Sequence, residues 1–150
     1  ERIWKPIGAE RSAGITVDVS GFTLASGGMF ATLRDTARIG QLIINRGKVG
    51  NRQVIPEDWI DDILNQKGDA LLPKFSPKSR NPYYRSFIWG IGDGQGTVLA
   101  RGVHGQFIYI SPSTDTVIAM YSSWPNADGG APGIGATEAL AILESIKNSI

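Results

Sequence analysis

Between residues 87 and 122 the chain alternates short runs rich in aromatic and β-branched side chains with tight turn signals, and this rhythm constrains the fold more than any other feature. The runs fall at 87–91, 97–99, 106–110 and 116–122, with Asp93-Gly94 and Pro112-Ser113 among the turns between them. Such short connections join antiparallel neighbours, because a parallel crossover needs a dozen or more residues. An antiparallel meander of about four strands is expected. A sheet of this kind needs helical cover for its apolar side chains. Residues 136–150 supply it as a helix on which Ala139, Ile142, Leu143 and Ile146 form a stripe.

Two further helices precede the meander. Thr32 can cap the first through its hydroxyl, with Asp35 three residues later reaching back as in a capping box. Leu33, Ala37, Leu42 and Ile44 then lie toward one side of a buried helix over 33–46, and Gly47 stops it. Pro56 opens the second helix, Glu57 and Asp58 complement its dipole, and Trp59, Ile60, Ile63 and Leu64 form its apolar face up to about Lys67-Gly68. Residues 14–24 alternate loosely as a strand or extended segment, with Ile15, Val17 and Val19 on one face, before the turn Ser26-Gly27-Gly28. The segments 69–82 and 125–135 read as loops from their proline and glycine content. Residues 1–8 read as the tail of an element begun earlier, so the chain is expected to be part of a longer protein.

Composition removes several function classes. With 150 residues, 41% of them hydrophobic, the chain can bury a real core. Fifteen basic residues against fourteen acidic ones, with no run of one sign, give no support to nucleic-acid or membrane-surface binding. The absence of cysteine excludes disulfides, thiolate metal sites and a cysteine nucleophile, and leaves the compartment open. No apolar stretch approaches the roughly 18 residues of a membrane span.

The candidate chemistry is sparse. Gly92-Asp93-Gly94-Gln95-Gly96 has the composition of a phosphate loop, but a strand rather than a helix follows it, so it reads as a hairpin turn. Asp61-Asp62 are neighbours on a helix, diverge by roughly 100° and do not converge on one substrate. His104 is the only histidine, which excludes a histidine-rich metal site. It is either a buried, hydrogen-bonded ring or part of a site. Its setting, Gly102-Val103-His104-Gly105-Gln106, gives weight to the second reading, because glycines at a sheet edge allow close approach of a ligand and an unpaired N–H there can stabilise an oxyanion. Trp89 is equally readable as core packing or as a pocket wall. No serine has lysine three positions on, and Gly-x-Ser-x-Gly is absent, so no activated serine is visible.

Taken in order, Trp4-Lys5-Pro6-Ile7-Gly8-Ala9, Ser26-Gly27-Gly28-Met29, Ala31-Thr32-Leu33-Arg34-Asp35-Thr36-Ala37-Arg38-Ile39-Gly40, Trp89-Gly90, Ala100-Arg101-Gly102-Val103-His104-Gly105-Gln106 and Ile110-Ser111-Pro112 resemble serine hydrolases of the class C β-lactamase and penicillin-binding-protein family. Within it, the pattern is most similar to the nylon-oligomer amidase branch, the 6-aminohexanoate-dimer hydrolases, and their carboxylesterase-like relatives. The resemblance covers essentially the whole chain.

It implies an α+β, three-layer β-lactamase-like fold, an antiparallel sheet flanked by helices, with residues 1–150 as the C-terminal portion of the hydrolase domain. The Ser-x-x-Lys nucleophile and the catalytic tyrosine would then lie upstream. The family's third active-site box, typically Lys-Thr-Gly, is matched by Ala100-Arg101-Gly102, so the resemblance makes the Val103 N–H the oxyanion donor. An alternative alignment on His104-Gly105 moves that donor to Gln106. Ala100 departs from the usual lysine, which favours a linear amide or ester over a β-lactam. By analogy Trp89 walls the substrate pocket and His104 shapes the oxyanion site. No cofactor or metal is implied. The expected partners are a small amide or ester substrate and the N-terminal portion of the same enzyme, or a second copy. A β-lactamase or D-alanyl-D-alanine peptidase, and a catalytically inactive interaction fragment, are the competing expectations.

Overall fold

A computed structural model describes residues 2–24, 26–65, 80–127 and 135–150. The elements are β1 (Gly14–Ile15), β2 (Met29–Phe30), α1 (Leu33–Ile44), β3 (Lys48–Val49), β4 (Arg52–Gln53), α2 (Glu57–Leu64), β5 (Tyr83–Arg85), β6 (Ile88–Gly90), β7 (Val98–Gly102), β8 (Gln106–Ser111), β9 (Thr116–Met120) and α3 (Ala136–Asn148). Strands β5 to β9 form one antiparallel sheet in sequence order, while β1–β2 and β3–β4 are separate small pairs.

The sheet has one strand more than the four expected. Tyr83–Arg85 pairs with Ile88–Gly90, and the residues joining them, Ser86 and Phe87, both have left-handed backbone, φ 50° and 65°. Phe87 is therefore a turn residue and not the start of a strand. Its aromatic ring reads as β in sequence, but consecutive left-handed dihedrals are the signature of a two-residue hairpin turn.

Alternation along the strands divides the core into two layers. Leu99, Phe107, Tyr109 and Ile91 pack with Ala139, Leu140 and Leu143 of α3. Val98, Ile110 and Ile88 pack on the other side with Ile43 of α1 and Ile60 and Ile63 of α2. The stripe on α3 differs from expectation: Ala139, Leu140, Leu143 and Lys147 face inward, whereas Ile142 and Ile146 are exposed. Both stripes satisfy helical spacing, and only the position of the sheet selects between them. Lys147 is admitted because its ammonium donates to Gln95 Oε1 at 2.9 Å and lies 3.8 Å from Asp93 Oδ2.

Thr32 caps α1 as expected, accepting from the Asp35 N–H at 3.2 Å. The Asp35 carboxylate, however, is committed to a longer-range task. It accepts from the backbone N–H groups of Glu10 and Arg11 at 2.8 and 3.1 Å, from the Thr32 hydroxyl at 2.8 Å and from Arg38 Nη1 at 2.6 Å. It thus ties the N-terminal segment to the start of α1. Leu33, expected to face inward, is exposed. The contact line runs instead through Thr36, Gly40 and Ile43, because α1 meets the sheet most closely at Gly40, where a Cβ would stand 2.6 Å from Val117 Cγ1. Ile15, Val17 and Val19 are likewise exposed.

Helix α2 ends at Leu64 with Asn65 as its C-cap, short of the expected end near Lys67-Gly68; most of the segments read as the 69–82 and 125–135 loops lie outside the described residues. Among the described residues no helix is long and apolar enough to cross a membrane.

Candidate active site

Strand β7 is covered on both sides for only part of its length. Strand β6 pairs with it at Val98 and Leu99, whereas β8 pairs with it from Val98 to Gly102. Among the described residues, Ala100, Arg101 and Gly102 therefore have a strand neighbour on one side only. A free strand edge presents unpaired backbone groups to whatever lies beside it. The edge borders a cavity of about 510 Å³ lined by Phe30, Thr36, Phe87, Ala100, Arg101, Gly102 and Tyr121, among others. The Thr36 hydroxyl and the Tyr121 hydroxyl are hydrogen-bonded to each other across its floor.

At the end of β7 the chain turns through Val103, His104 and Gly105 into β8, with Gly102 opposite Gln106. Val103 is exposed at this tip. His104 (φ 57°) and Gly105 (φ 82°) are both left-handed, and a Cβ on Gly105 would lie 2.5 Å from the Trp124 indole, so glycine is required there on two counts.

His104 is an exposed, fully engaged residue, and the buried-ring reading does not hold. Its N–H donates to the Ala127 carbonyl at 2.9 Å, and its own carbonyl accepts from the Trp124 N–H at 3.2 Å. Its Nδ1 lies 2.8 Å from the Trp124 carbonyl. A carbonyl only accepts, so Nδ1 carries the hydrogen. The imidazole thus holds the turn against the segment that follows β9. Gln106 adds a 2.5 Å bond from its amide to the Ser122 carbonyl.

Trp89 stands apart from this group. It pairs with Leu99, stacks at a tilt on Tyr84 with ring centroids 4.7 Å apart, and packs into the layer that faces α3. Of the expected site residues, then, Gly102 lines the cavity, Val103 and His104 form the turn beside it, and Trp89 lies on the other layer. Arg101, Phe87, Thr36 and Tyr121 also line the cavity and escaped the sequence reading. Tyr121 and Thr36 are 85 positions apart, so no local signal joins them.

The remaining acidic pair and glycine run have structural roles. Asp61 pairs with Arg46, and Asp62 with Arg85 at 2.5 Å. Asp93 folds its loop by accepting from the Gln95 N–H at 2.9 Å and the Thr97 hydroxyl at 2.5 Å. No group of three or more metal-ligating side chains exists among the described residues.

Sequence comparison adds the decisive observation: the chain is 34% identical over 128 residues to the 6-aminohexanoate-dimer hydrolase of Paenarthrobacter ureafaciens, an alignment covering 84% of this chain and 33% of that enzyme. This chain is a relative of the 6-aminohexanoate-dimer hydrolases. A solved structure from Bacillus anthracis, provisionally named a 6-aminohexanoate-dimer hydrolase, matches with a TM-score of 0.73 and 30% identity over 99% of this chain and 35% of its own. A structure from Bacteroides dorei, provisionally named a β-lactamase, matches at 0.63 and 15% identity over 97% of this chain and 48% of its own, which speaks to the fold alone. No family model matches. The fold is α+β and β-lactamase-like, and the chain spans about a third of the length of the hydrolases it matches.

Proposed function

We propose that this chain is the C-terminal portion of a serine hydrolase that cleaves linear amides of the 6-aminohexanoate-dimer type, or small esters, through an acyl-enzyme. The reading rests above all on one observation. The Gly102-Val103 step sits at the free edge of β7 beside a 510 Å³ cavity, in a chain related to amide hydrolases.

In this mechanism a serine from an upstream Ser-x-x-Lys, deprotonated by the lysine with a tyrosine, attacks the substrate carbonyl. The Val103 N–H and the serine's own N–H stabilise the resulting oxyanion. The C–N bond breaks, the amine leaves with the proton, and water then hydrolyses the acyl-serine. His104 keeps the Val103 turn in place through its bonds to Trp124 and Ala127. Trp89 provides an apolar wall on the α3 side of the same strand edge.

The upstream portion completes the site and covers the apolar groove of about 840 Å³ lined by Ile3, Trp4, Ile39, Ile43, Trp59 and Ile88. That groove meets the first cavity at Met29 and Ile39. No cofactor takes part in this scheme.

The test is hydrolysis of 6-aminohexanoate dimer by the complete enzyme and by its Val103→Pro variant, which lacks the N–H. Removing one oxyanion donor lowers kcat by about 100- to 1,000-fold, with the circular dichroism spectrum retained. Parental turnover by a folded Val103→Pro protein overturns the assignment, and rapid acylation by penicillin without dimer hydrolysis supports the β-lactamase or peptidase alternative.

A further inference from the structure

Most half-buried or buried cations of this chain are matched by a carboxylate. Arg38 pairs with Glu10 and Asp35, Arg46 with Glu57 and Asp61, Arg85 with Asp62, and Lys147 with Asp93. Arg101 is the exception among them. It is half-buried on β7 and lines the 510 Å³ cavity, yet no ion pair or side-chain hydrogen bond reaches it among the described residues. A partly desolvated guanidinium without a counter-charge favours an anion brought from outside, and its planar fork suits a carboxylate in particular.

We infer that Arg101 is a specificity-determining residue that anchors the terminal carboxylate of a linear amide substrate. The inference rests on the proposed oxyanion role of Val103, two positions further along the strand. Two strand residues span about 6.6 Å, and an extended six-carbon unit puts its carboxylate on the order of 8 Å from the amide carbon, within that spacing plus the reach of an arginine. Arg101 shares the β7 face of Leu99, whose pairing partner is Trp89, and the indole of Trp89 offers an apolar wall suited to a methylene chain. On the proposed linear amide the scissile carbonyl then sits at Val103, the polymethylene spacer runs along Trp89, and the free carboxylate reaches Arg101.

The experiment uses the complete enzyme and two substrates, 6-aminohexanoate dimer and the same dimer with its carboxylate converted to a carboxamide. The readout is the ratio of kcat/KM for the acid over the carboxamide, which cancels differences in the amount of folded protein. In Arg101→Gln this ratio falls about 10- to 100-fold, the range of a lost charged hydrogen bond, with the change carried by KM. Arg101→Lys retains part of the preference because it keeps charge without the bidentate fork. An unchanged ratio in Arg101→Gln overturns the inference. If Val103→Pro meanwhile suppresses both substrates, the hydrolytic mechanism stands without the carboxylate anchor. If Val103→Pro turns over at the parental rate, the oxyanion reading falls and this inference with it.

Discussion

The two faces of the sheet are finished to different degrees. On the α3 side, Phe107, Tyr109, Leu140 and Leu143 are buried together, and the buried Lys147 meets Asp93 and Gln95. Burial, together with the charges of Glu144 and Asp93, pushes the Tyr109 phenol well above its ordinary pKa, so it stays protonated. On the α1 and α2 side, a comparable cluster around Ile43, Ile60 and Ile110 gives way to two open apolar cavities and to exposed Met29, Phe30 and Phe87, and at the edge of β7 stands the half-buried Arg101. Compact packing with every charge answered is what stability requires. Space, an edge strand and an unanswered charge are what chemistry requires. The difference is the ground for proposing the working surface at the open edge and tip of β7, with the closed packing against α3 as its structural foundation.

Substitutions can break or sharpen this contrast. Lys147→Met strands Asp93 without its cation on the closed face and should cost about 3 kcal/mol of stability, measured by chemical denaturation. Activity per folded molecule should stay as it was. A loss of specific activity with stability intact would reverse the division of labour drawn here.

His104→Ala acts at the open end. Removing the bond to the Trp124 carbonyl should lower kcat on the amide by up to about 10-fold, with little change in melting temperature. His104→Gly relieves the left-handed backbone but equally loses the ring, so both variants should lose activity. Recovery in the glycine variant alone would show that only the backbone matters.

Gly40→Ala probes the contact between α1 and the sheet. The added Cβ crowds Val117 and Ile108, and overpacking of 1 to 3 kcal/mol less a helix-propensity gain of about 1 leaves a net loss of about 1 kcal/mol. A gain in stability would mean that α1 can move off the sheet.

The smallest effect is a pH dependence. Burial alone would raise the Asp35 carboxyl, but the N–H of Glu10, the Thr32 hydroxyl, the N–H of Arg11 and the Arg38 charge together hold it below its ordinary value. A carboxyl lowered on folding contributes stability that is complete above the ordinary aspartate range, near pH 4, and is lost as pH falls through the folded value. Melting temperatures should therefore drop on acidification below about pH 4, and Asp35→Asn should flatten that limb. An unaltered acid limb in Asp35→Asn would assign it to other carboxylates.

Much of this was legible in the chain itself. The β8 and β9 runs, the helices at 33 and 57, the Thr32 cap and the antiparallel order all follow from local chemistry, because period, turn residues and caps act within a few positions. The turn proposed to carry the oxyanion donor was also marked, since Gly102, His104 and Gly105 are clustered in sequence. What escaped was everything joined across distance. Phe87 carried a strand-like ring into a left-handed turn. Ile142 and Ile146 had the same helical spacing as Leu140 and Leu143, and Leu33 the same claim to burial as Ile43.

The sequence by itself determined an antiparallel meander with helices before and after it, a likeness to serine hydrolases, and a glycine-flanked turn suited to an oxyanion. These are properties of neighbours along the chain, or of motifs kept in order. Only the tertiary structure decided which face of each helix is inward, that β6 stops short and leaves Ala100 to Gly102 on an edge, that Trp124 locks His104, and that Arg101 lines a cavity with no carboxylate to meet it among the described residues. Those outcomes depend on which distant surfaces come into contact, and short-range propensities carry no information about that choice.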